Sequence, residues 1–193
     1  NLAVVAIIGE NMRYRPGIAS HLFQALGKNG INAVAIAQGS SELNISVVIN
    51  RADESKALNA LHEGFFLSET KTLHIFMVGV GLIGGTLLEQ IKNQAGYLSE
   101  NRSLEIKVVG LSNSKKMLFA DTGIDLNDWK EQLLASEETA DLTRFIAQMR
   151  DMNLSNTIFV DNTANSKISN YYESILDSST SISTPNKIAT SSA

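Results

Sequence analysis

Ile75-Phe76-Met77-Val78-Gly79-Val80-Gly81-Leu82-Ile83-Gly84-Gly85 is the stretch whose reading decides the fold. An apolar run of strand length ends in G-x-G-x-x-G, and a helical pattern follows at once. Each glycine has its own task. Gly79 permits the tight turn. Gly81 lacks a Cβ, so a pyrophosphate can approach the backbone. Gly84 lets the new helix pack on the strand, and that helix's unpaired N–H groups face the phosphates. The alternative is a glycine-rich strand-to-helix turn with no ligand; the flanking strand and helix favour the dinucleotide.

Working outward, the downstream chain alternates strands and helices, the pattern of a parallel sheet with ligands at the carboxyl ends of its strands. Periodicity predicts a strand over 73–78, a helix over 82–94 with Leu87, Leu88 and Ile91 facing the sheet, and a polar connection over 95–103. A strand over 104–111 follows, then an exit loop at 112–116 and a turn and loop over 117–125. Asn127 is expected to cap a helix through Trp129 and Leu133, and 139–153 to form another. A strand over 157–160, a helix from Ser166 and a strand over 182–184 complete the set.

Upstream, the order is β-α-β-β-α: strands over 2–8, 31–37 and 44–50, and two helices. Pro16 suits a first helical position, and Gly30 a helix end. Asp53 is the expected cap of the second helix, with core stripe Ala57, Leu58, Leu61 and Phe65. The fold class expected is α/β: a ferredoxin-like βαββα module over 1–67, then a Rossmann-type parallel sheet with flanking helices over 72–193. Residues 68–71 form the linker.

Composition narrows the function. A net charge of −4 over 193 residues, with no basic run, makes no electrostatic case for nucleic acid. No cysteine is present, so a disulfide framework, a thiolate metal site and a cysteine nucleophile are excluded. His21, His62 and His74 fall on separate elements, and no metal is expected. No apolar segment reaches the ~18 residues of a transmembrane helix. The apolar start, 2–8, has no basic flank and no signal peptide is expected. A cytoplasmic location is the expectation, and a first residue other than Met suggests a piece of a longer chain.

Three strand ends carry chemistry. After the second strand of the sheet, a site selective for NAD places an acid on the ribose 2′-hydroxyl. Here stand Ser112, Asn113, Ser114, Lys115 and Lys116 instead, farther from Gly79 than the usual ~20 residues. Hydroxyls and ammonium groups bind a 2′-phosphate, which a carboxylate would repel, so the reading leans to NADP; otherwise the lysines begin a solvated helix. Asp161 to Asn165 either line the nicotinamide side or make a turn of side-chain caps. Lys187, after Pro185-Asn186, either faces a reacting carbonyl oxygen or is a surface lysine.

These residues together resemble a known family. Ile36-Ala37-Gln38-Gly39-Ser40-Ser41-Glu42 with Asn44 to Val48 is similar to the second ACT regulatory module of aspartokinase. Gly79 to Gly85, Gly110-Leu111-Ser112-Asn113-Ser114, Val160-Asp161-Asn162-Thr163 and Thr184-Pro185-Asn186-Lys187 resemble the NAD(P)-binding half of homoserine dehydrogenase. Their succession is the arrangement of the bifunctional aspartokinase/homoserine dehydrogenases. The resemblance implies interconversion of aspartate 4-semialdehyde and homoserine with NADPH or NADH, feedback by an amino acid, usually threonine, and pairing of ACT modules into a homo-oligomer. It implies cofactor contacts from Gly79, Gly81, Leu82, Ile83, Gly84, Ser112, Asn113, Ser114, Lys115, Thr163 and Lys187, with Lys187 also catalytic. It implies effector contacts from Gln38, Asn11, Gly17 and Ile18. Asn162 stands where the family more often has Cys. The family's further catalytic lysine and acids come from a later domain, and its kinase from an earlier one, so this piece is expected to bind ligands without turnover. The alternative is an amino-acid-sensing module with no catalysis of its own.

Overall fold

The computed structural model describes residues 1–9, 12, 15–39, 43–66 and 71–187. The chain divides into two compact units, Asn1–Glu69 and Thr70–Ala193. Of the turn expected over 38–42, Gln38 ends a strand and residues 40–42 lie outside the described residues, as do Asn11 and most of the linker.

In the first unit, β1 (Leu2–Ile8), β3 (Asn44–Asn50) and β2 (Ala35–Gln38) form an antiparallel sheet in the order β1-β3-β2. Register pairs Ala3 with Ile49 and Val5 with Val47. Side chains alternate across a strand, so these four and Ile45 share one face. Helices α1 (Ile18–Lys28) and α2 (Glu54–Phe66) supply Leu22, Leu26, Ala57 and Leu61 to the same core. Each large aliphatic side chain buried in this way contributes about 1.5–3 kcal/mol.

Local chemistry moved several boundaries here. The strand expected from Ile31 begins at Ala35, because Ile31 closes α1. Its N–H donates to Leu26 O (3.0 Å) and that of Gly30 to Gly27 O (3.1 Å), the Schellman pattern. Pro16 precedes the helix; Gly17, at φ 91°, is the residue that turns the chain into α1. Asn50 caps a 3-10 turn over Arg51–Asp53 that leads into α2, its Oδ1 accepting from the Ala52 N–H (3.1 Å), and Asp53 stands directly before α2. Leu58, expected in the core, is 51% exposed, and Ala60 is buried instead. The inward stripe is centred on 57, 60 and 61, and position 58 lies about 100° around the helix from 57.

The second unit contains β4 (Lys71–Val78), α3 (Leu82–Arg102), β5 (Leu104–Ser112), β6 (Met117–Phe119), α4 (Trp129–Ala135), α5 (Leu142–Met152), β7 (Thr157–Asp161), α6 (Tyr172–Leu176) and β8 (Ser181–Ser183). The strand order is β6-β5-β4-β7-β8. All neighbours run parallel except β6, which is antiparallel to β5. The central strand β4 is apolar on both faces, as a strand covered on both sides should be. Met77 joins Leu88, Ile91, Trp129 and Leu133 of α3 and α4 on one face. Phe76 joins Phe145, Met149 and Ile175 of α5 and α6 on the other.

Four expectations are corrected. The polar stretch 95–103, expected as a connection, is the second half of α3, which accounts for the long interval between Gly79 and Ser112. Its residues are mostly exposed, so no periodic burial marked it as helix. Residues 117–119 form β6 rather than a loop, and Lys115 and Lys116 therefore sit in a hairpin turn, not at a helix start. Asn127 is not the cap of α4, which starts after Asp128; the Asn127 N–H and Nδ2 instead donate to Asp125 Oδ1. The helix expected from Thr139 begins at Leu142, capped by Asp141 Oδ1, which accepts from the Arg144 N–H (2.9 Å), while Thr139 makes a bridge with Lys116. No helix among the described residues is long and apolar enough to cross a membrane.

Gly110 records how tightly the second face is packed. A shift in the β4–β5 register between Ile75 and Phe76 sets Gly110 opposite Phe76. A Cβ on Gly110 would lie 2.5 Å from Phe76 Cδ1 and 3.2 Å from Phe145 Cζ. Both rings are fully buried and have nowhere to move. Gly110→Ala should therefore lower stability by about 1–3 kcal/mol in urea unfolding; an unchanged midpoint would contradict this packing.

Candidate functional site

The glycine turn sits at the carboxyl end of the central strand. Gly79 has φ 89°, and a Cβ there would lie 2.9 Å from Asn162 C and 3.0 Å from Thr163 Cγ2. Its N–H donates to Ser112 O (2.8 Å), joining the ends of β4 and β5. A Cβ on Gly84 would overlap Gly79 O. Only glycine lets α3 begin this close to the strand. Gly81, which precedes α3, has nothing within 4 Å of its Cβ position, so a bound group has room there. The first N–H groups of α3 lack carbonyls within the helix and are donors for an anion.

A cavity of about 910 Å³ opens at this end of the sheet. It is bordered by Gly79 and Gly81 of the turn, by Ser112 at the end of β5 with Asn113 and Ser114 after it, and by Thr163 after β7. The structure thus brings together six of the expected cofactor residues. Leu82, Ile83, Gly84, Lys115 and Lys187 do not border it. Leu82 and Ile83 are 88% and 56% exposed on the first turn of α3. Lys187 is exposed, directly after the buried Asn186.

The turn after β5 is built by Asn113, whose Oδ1 accepts from the N–H groups of Lys115 and Lys116, each at 2.7 Å. Lys116 is committed elsewhere: its Nζ donates to Leu134 O (2.8 Å) and Ser136 O (2.5 Å), at the carbonyl end of α4. Lys115 is exposed in the same turn.

Sequence reasoning did not place Trp129, Lys130, Leu133 and Asp141 at the cavity, though all border it. Trp129 and Leu133 read as ordinary core residues of an amphipathic helix, and only the packing of α4 beside the turn gives them a second face. Lys130 Nζ lies 5.5 Å from the Trp129 ring centroid. Asp141 brings a carboxylate into the lining, with one oxygen capping α5.

Behind the cavity, Asp161 closes the end of β7 and is fully buried. Its Oδ1 accepts from the Thr163 N–H (2.8 Å). Its Oδ2 accepts from the Tyr172 hydroxyl (2.6 Å) and Asn186 Nδ2 (3.1 Å). Burial, with the hydrogen bond to Asp161 second, pushes the Tyr172 phenol up to about 12. Asn162 Nδ2, beside the Gly84 Cβ position, is buried and has no partner.

In the first unit, a smaller cavity of about 410 Å³ lies at the start of α1. Gly17, Ile18 and Gln38, three of the expected effector residues, border it together with Met12, Arg15 and Ile45. The free N–H groups of the helix start and the Arg15 guanidinium suit a carboxylate. Among the described residues, no group of three or more His, Cys, Asp or Glu is arranged to hold a metal.

A mostly parallel sheet with a glycine turn under a cavity at its carboxyl end defines a dinucleotide-binding α/β domain, here preceded by a small α/β module. Residues 79–193 match the family described as homoserine dehydrogenase, NAD binding domain, and residues 5–65 match the ACT domain. The chain belongs to the homoserine dehydrogenase NAD-binding family and carries an ACT domain ahead of it. It is 43% identical over 190 residues to maize bifunctional aspartokinase/homoserine dehydrogenase 2, chloroplastic, covering 98% of this chain and 21% of that one. It is 44% identical over 192 residues to the Arabidopsis thaliana protein of the same description, covering 99% and 21%. The chain thus spans about a fifth of the length of these curated relatives. A crystal structure of a Candida auris protein of unknown function superposes with a TM-score of 0.52 at 28% identity, over 62% of this chain and 32% of the other.

The residues present fit the NAD or NADP that the family takes. Gly81 leaves room where a Cβ would intrude, the helix start offers N–H donors, and the orphaned Asn162 nitrogen lies beside the turn.

The Tyr172 shift has a testable consequence. Its proton is held more tightly in the folded state than at the ordinary value of about 10. The stability this contributes is complete below about pH 10 and is lost as pH rises through about 12. Tyr172→Phe should flatten that part of the curve in melts between about pH 9 and 12; parallel curves for the two proteins would refute the assignment.

Proposed function

We propose that this chain is the regulatory and cofactor-binding segment of a bifunctional aspartokinase/homoserine dehydrogenase. The observation that carries the proposal is the glycine turn, Gly79 to Gly84, under the 910 Å³ cavity. The parent enzyme interconverts aspartate 4-semialdehyde and homoserine, and the bound nicotinamide supplies or accepts the hydride. The roles of this chain's residues are to bind and orient. Gly79, Gly81 and the start of α3, with Leu82, Ile83 and Gly84, receive the pyrophosphate. Ser112, Asn113, Ser114 and Lys115 receive the adenosine ribose, and NADP is favoured over NAD because that strand end offers hydroxyls and a cation. Thr163 borders the nicotinamide half, and Lys187 stabilises charge on the reacting oxygen. The parent chain works in the cytoplasm on this reading.

The single tryptophan of the chain borders the cavity and reports on occupancy. Titration with NADPH should change Trp129 fluorescence, with NADH weaker. Gly81→Ala should fold, since its Cβ meets no protein atom, yet weaken NADPH by at least about tenfold by intruding on the phosphates. No binding of either nucleotide at millimolar concentration would refute the cofactor assignment.

A second reading is favoured by the 410 Å³ cavity: an amino-acid-sensing module without catalysis of its own. An amino acid, threonine in this proposal, places its carboxylate at the start of α1 near Gly17 and Ile18, with Gln38 contacting it; Asn11 completes the set on the resemblance. A second copy of the chain pairs with the ACT module. Calorimetry with threonine, lysine and methionine should show threonine binding that Gln38→Ala weakens about tenfold, the effect of one hydrogen bond to a charged group. Light scattering on the same sample should give a mass above that of one chain. Threonine binding untouched by Gln38→Ala would remove that residue from the site.

A further inference from the structure

Asp161 takes no part in the chemistry proposed above, yet among the described residues it is the one buried acid, at 0% exposure. Enclosing a carboxylate is costly unless its oxygens are hydrogen-bonded. Here the donors come from three separate segments: the Thr163 N–H from the loop after β7, the Tyr172 hydroxyl from α6, and Asn186 Nδ2 from the loop after β8. The backbone of Asp161 adds a fourth tie, its carbonyl accepting from Thr184 Oγ1 (2.8 Å). Asn186 Nδ2 also donates to Asn165 O (3.1 Å), so the two loops are joined to each other as well.

Both loops lie on the β7 side of the central strand. In an open α/β sheet the dinucleotide crosses the end of the central strand, with one half on each side. The β5 side carries Ser112 to Lys115. The β7 side carries Thr163, which borders the cavity, and Lys187, the residue after Asn186.

We propose that Asp161 is the positioning residue for the nicotinamide half of the cofactor, holding Thr163 and the Asn186-Lys187 segment in one fixed arrangement through its two carboxylate oxygens. This rests on the cofactor reading above. A carboxylate is required because both of its oxygens accept. An asparagine would turn an NH₂ toward either the Thr163 N–H or the Tyr172 and Asn186 donors, and one loop would be released.

The test uses two ligands on the whole chain. NADPH engages both halves of the site; adenosine 2′,5′-bisphosphate has no nicotinamide and engages only the β5 side. Asp161→Asn should weaken NADPH about tenfold, the effect of losing a hydrogen bond to a charged group, and leave the bisphosphate within about twofold. Tyr172→Phe removes one of the three donors and should give the same pattern at about threefold; it decides the matter alone if Asp161→Asn fails to fold. Parallel losses for both ligands would make Asp161 a merely structural residue and overturn the proposal, as would unchanged NADPH binding in both variants. A wild-type chain that binds neither ligand refutes the cofactor reading itself, and the proposal falls with it.

Discussion

The second domain depends on a contact that no side chain can enter. The Cα of Gly84 packs against the carbonyl of Gly79, and a Cβ at either position would overlap backbone. That contact sets where α3 starts and brings its unpaired N–H groups to the end of β4. It also joins β4 to its neighbours, since Gly79 donates to Ser112 O on one side while Asn162 N–H donates to Val78 O on the other (2.9 Å). The ends of three parallel strands are thereby held level, and the cavity forms where they stop. Ligand sites in such sheets lie at the carboxyl ends because the loops there diverge from the central strand toward opposite faces.

Burial on both faces of β4 makes that floor rigid. Phe76 and Met77 are both fully buried, pointing into different cores. On the Phe76 face the room left for β5 is so small that only Gly110 fits opposite the ring. Interiors packed this closely transmit displacement instead of absorbing it. The polar counterpart is Asp161, where one carboxylate gathers α6 and the loops after β7 and β8. Apolar packing fixes the strands, and this carboxylate fixes the segments that leave them.

The site was legible in unequal parts. The glycine turn could be read directly because its residue types answer a local steric demand, and Ser112 to Ser114 because they stand at a strand end. Trp129, Lys130 and Asp141 could not be read. They reach the cavity only because α4 and the start of α5 fold back beside the turn, and nothing in their local sequence separates them from core or capping residues. Lys115 and Lys116 looked equivalent as a pair. They differ because Lys116 reaches the carbonyl end of α4, a partner 18 and 20 residues away. In the first unit Gln38, Gly17 and Ile18 were named from resemblance, and the cavity they share exists because β2 ends beside the start of α1.

By itself the sequence determined the element order, the βαββα and parallel α/β classes, the central glycine turn and most helix faces. These follow from periodicity and from glycine sterics, both of which act over a few residues. It misplaced the end of α3 and missed β6. A solvated helix half carries no burial pattern, and a three-residue edge strand owes its existence to pairing with β5. Tertiary structure alone decided which charges are available and which are held. Asp161, read from the chain as a loop acid beside the cofactor, is enclosed with three donors from residues 163, 172 and 186. Such a cluster depends on where α6 and two loops meet, a quantity set by the packing of the whole sheet and invisible in any local window of sequence.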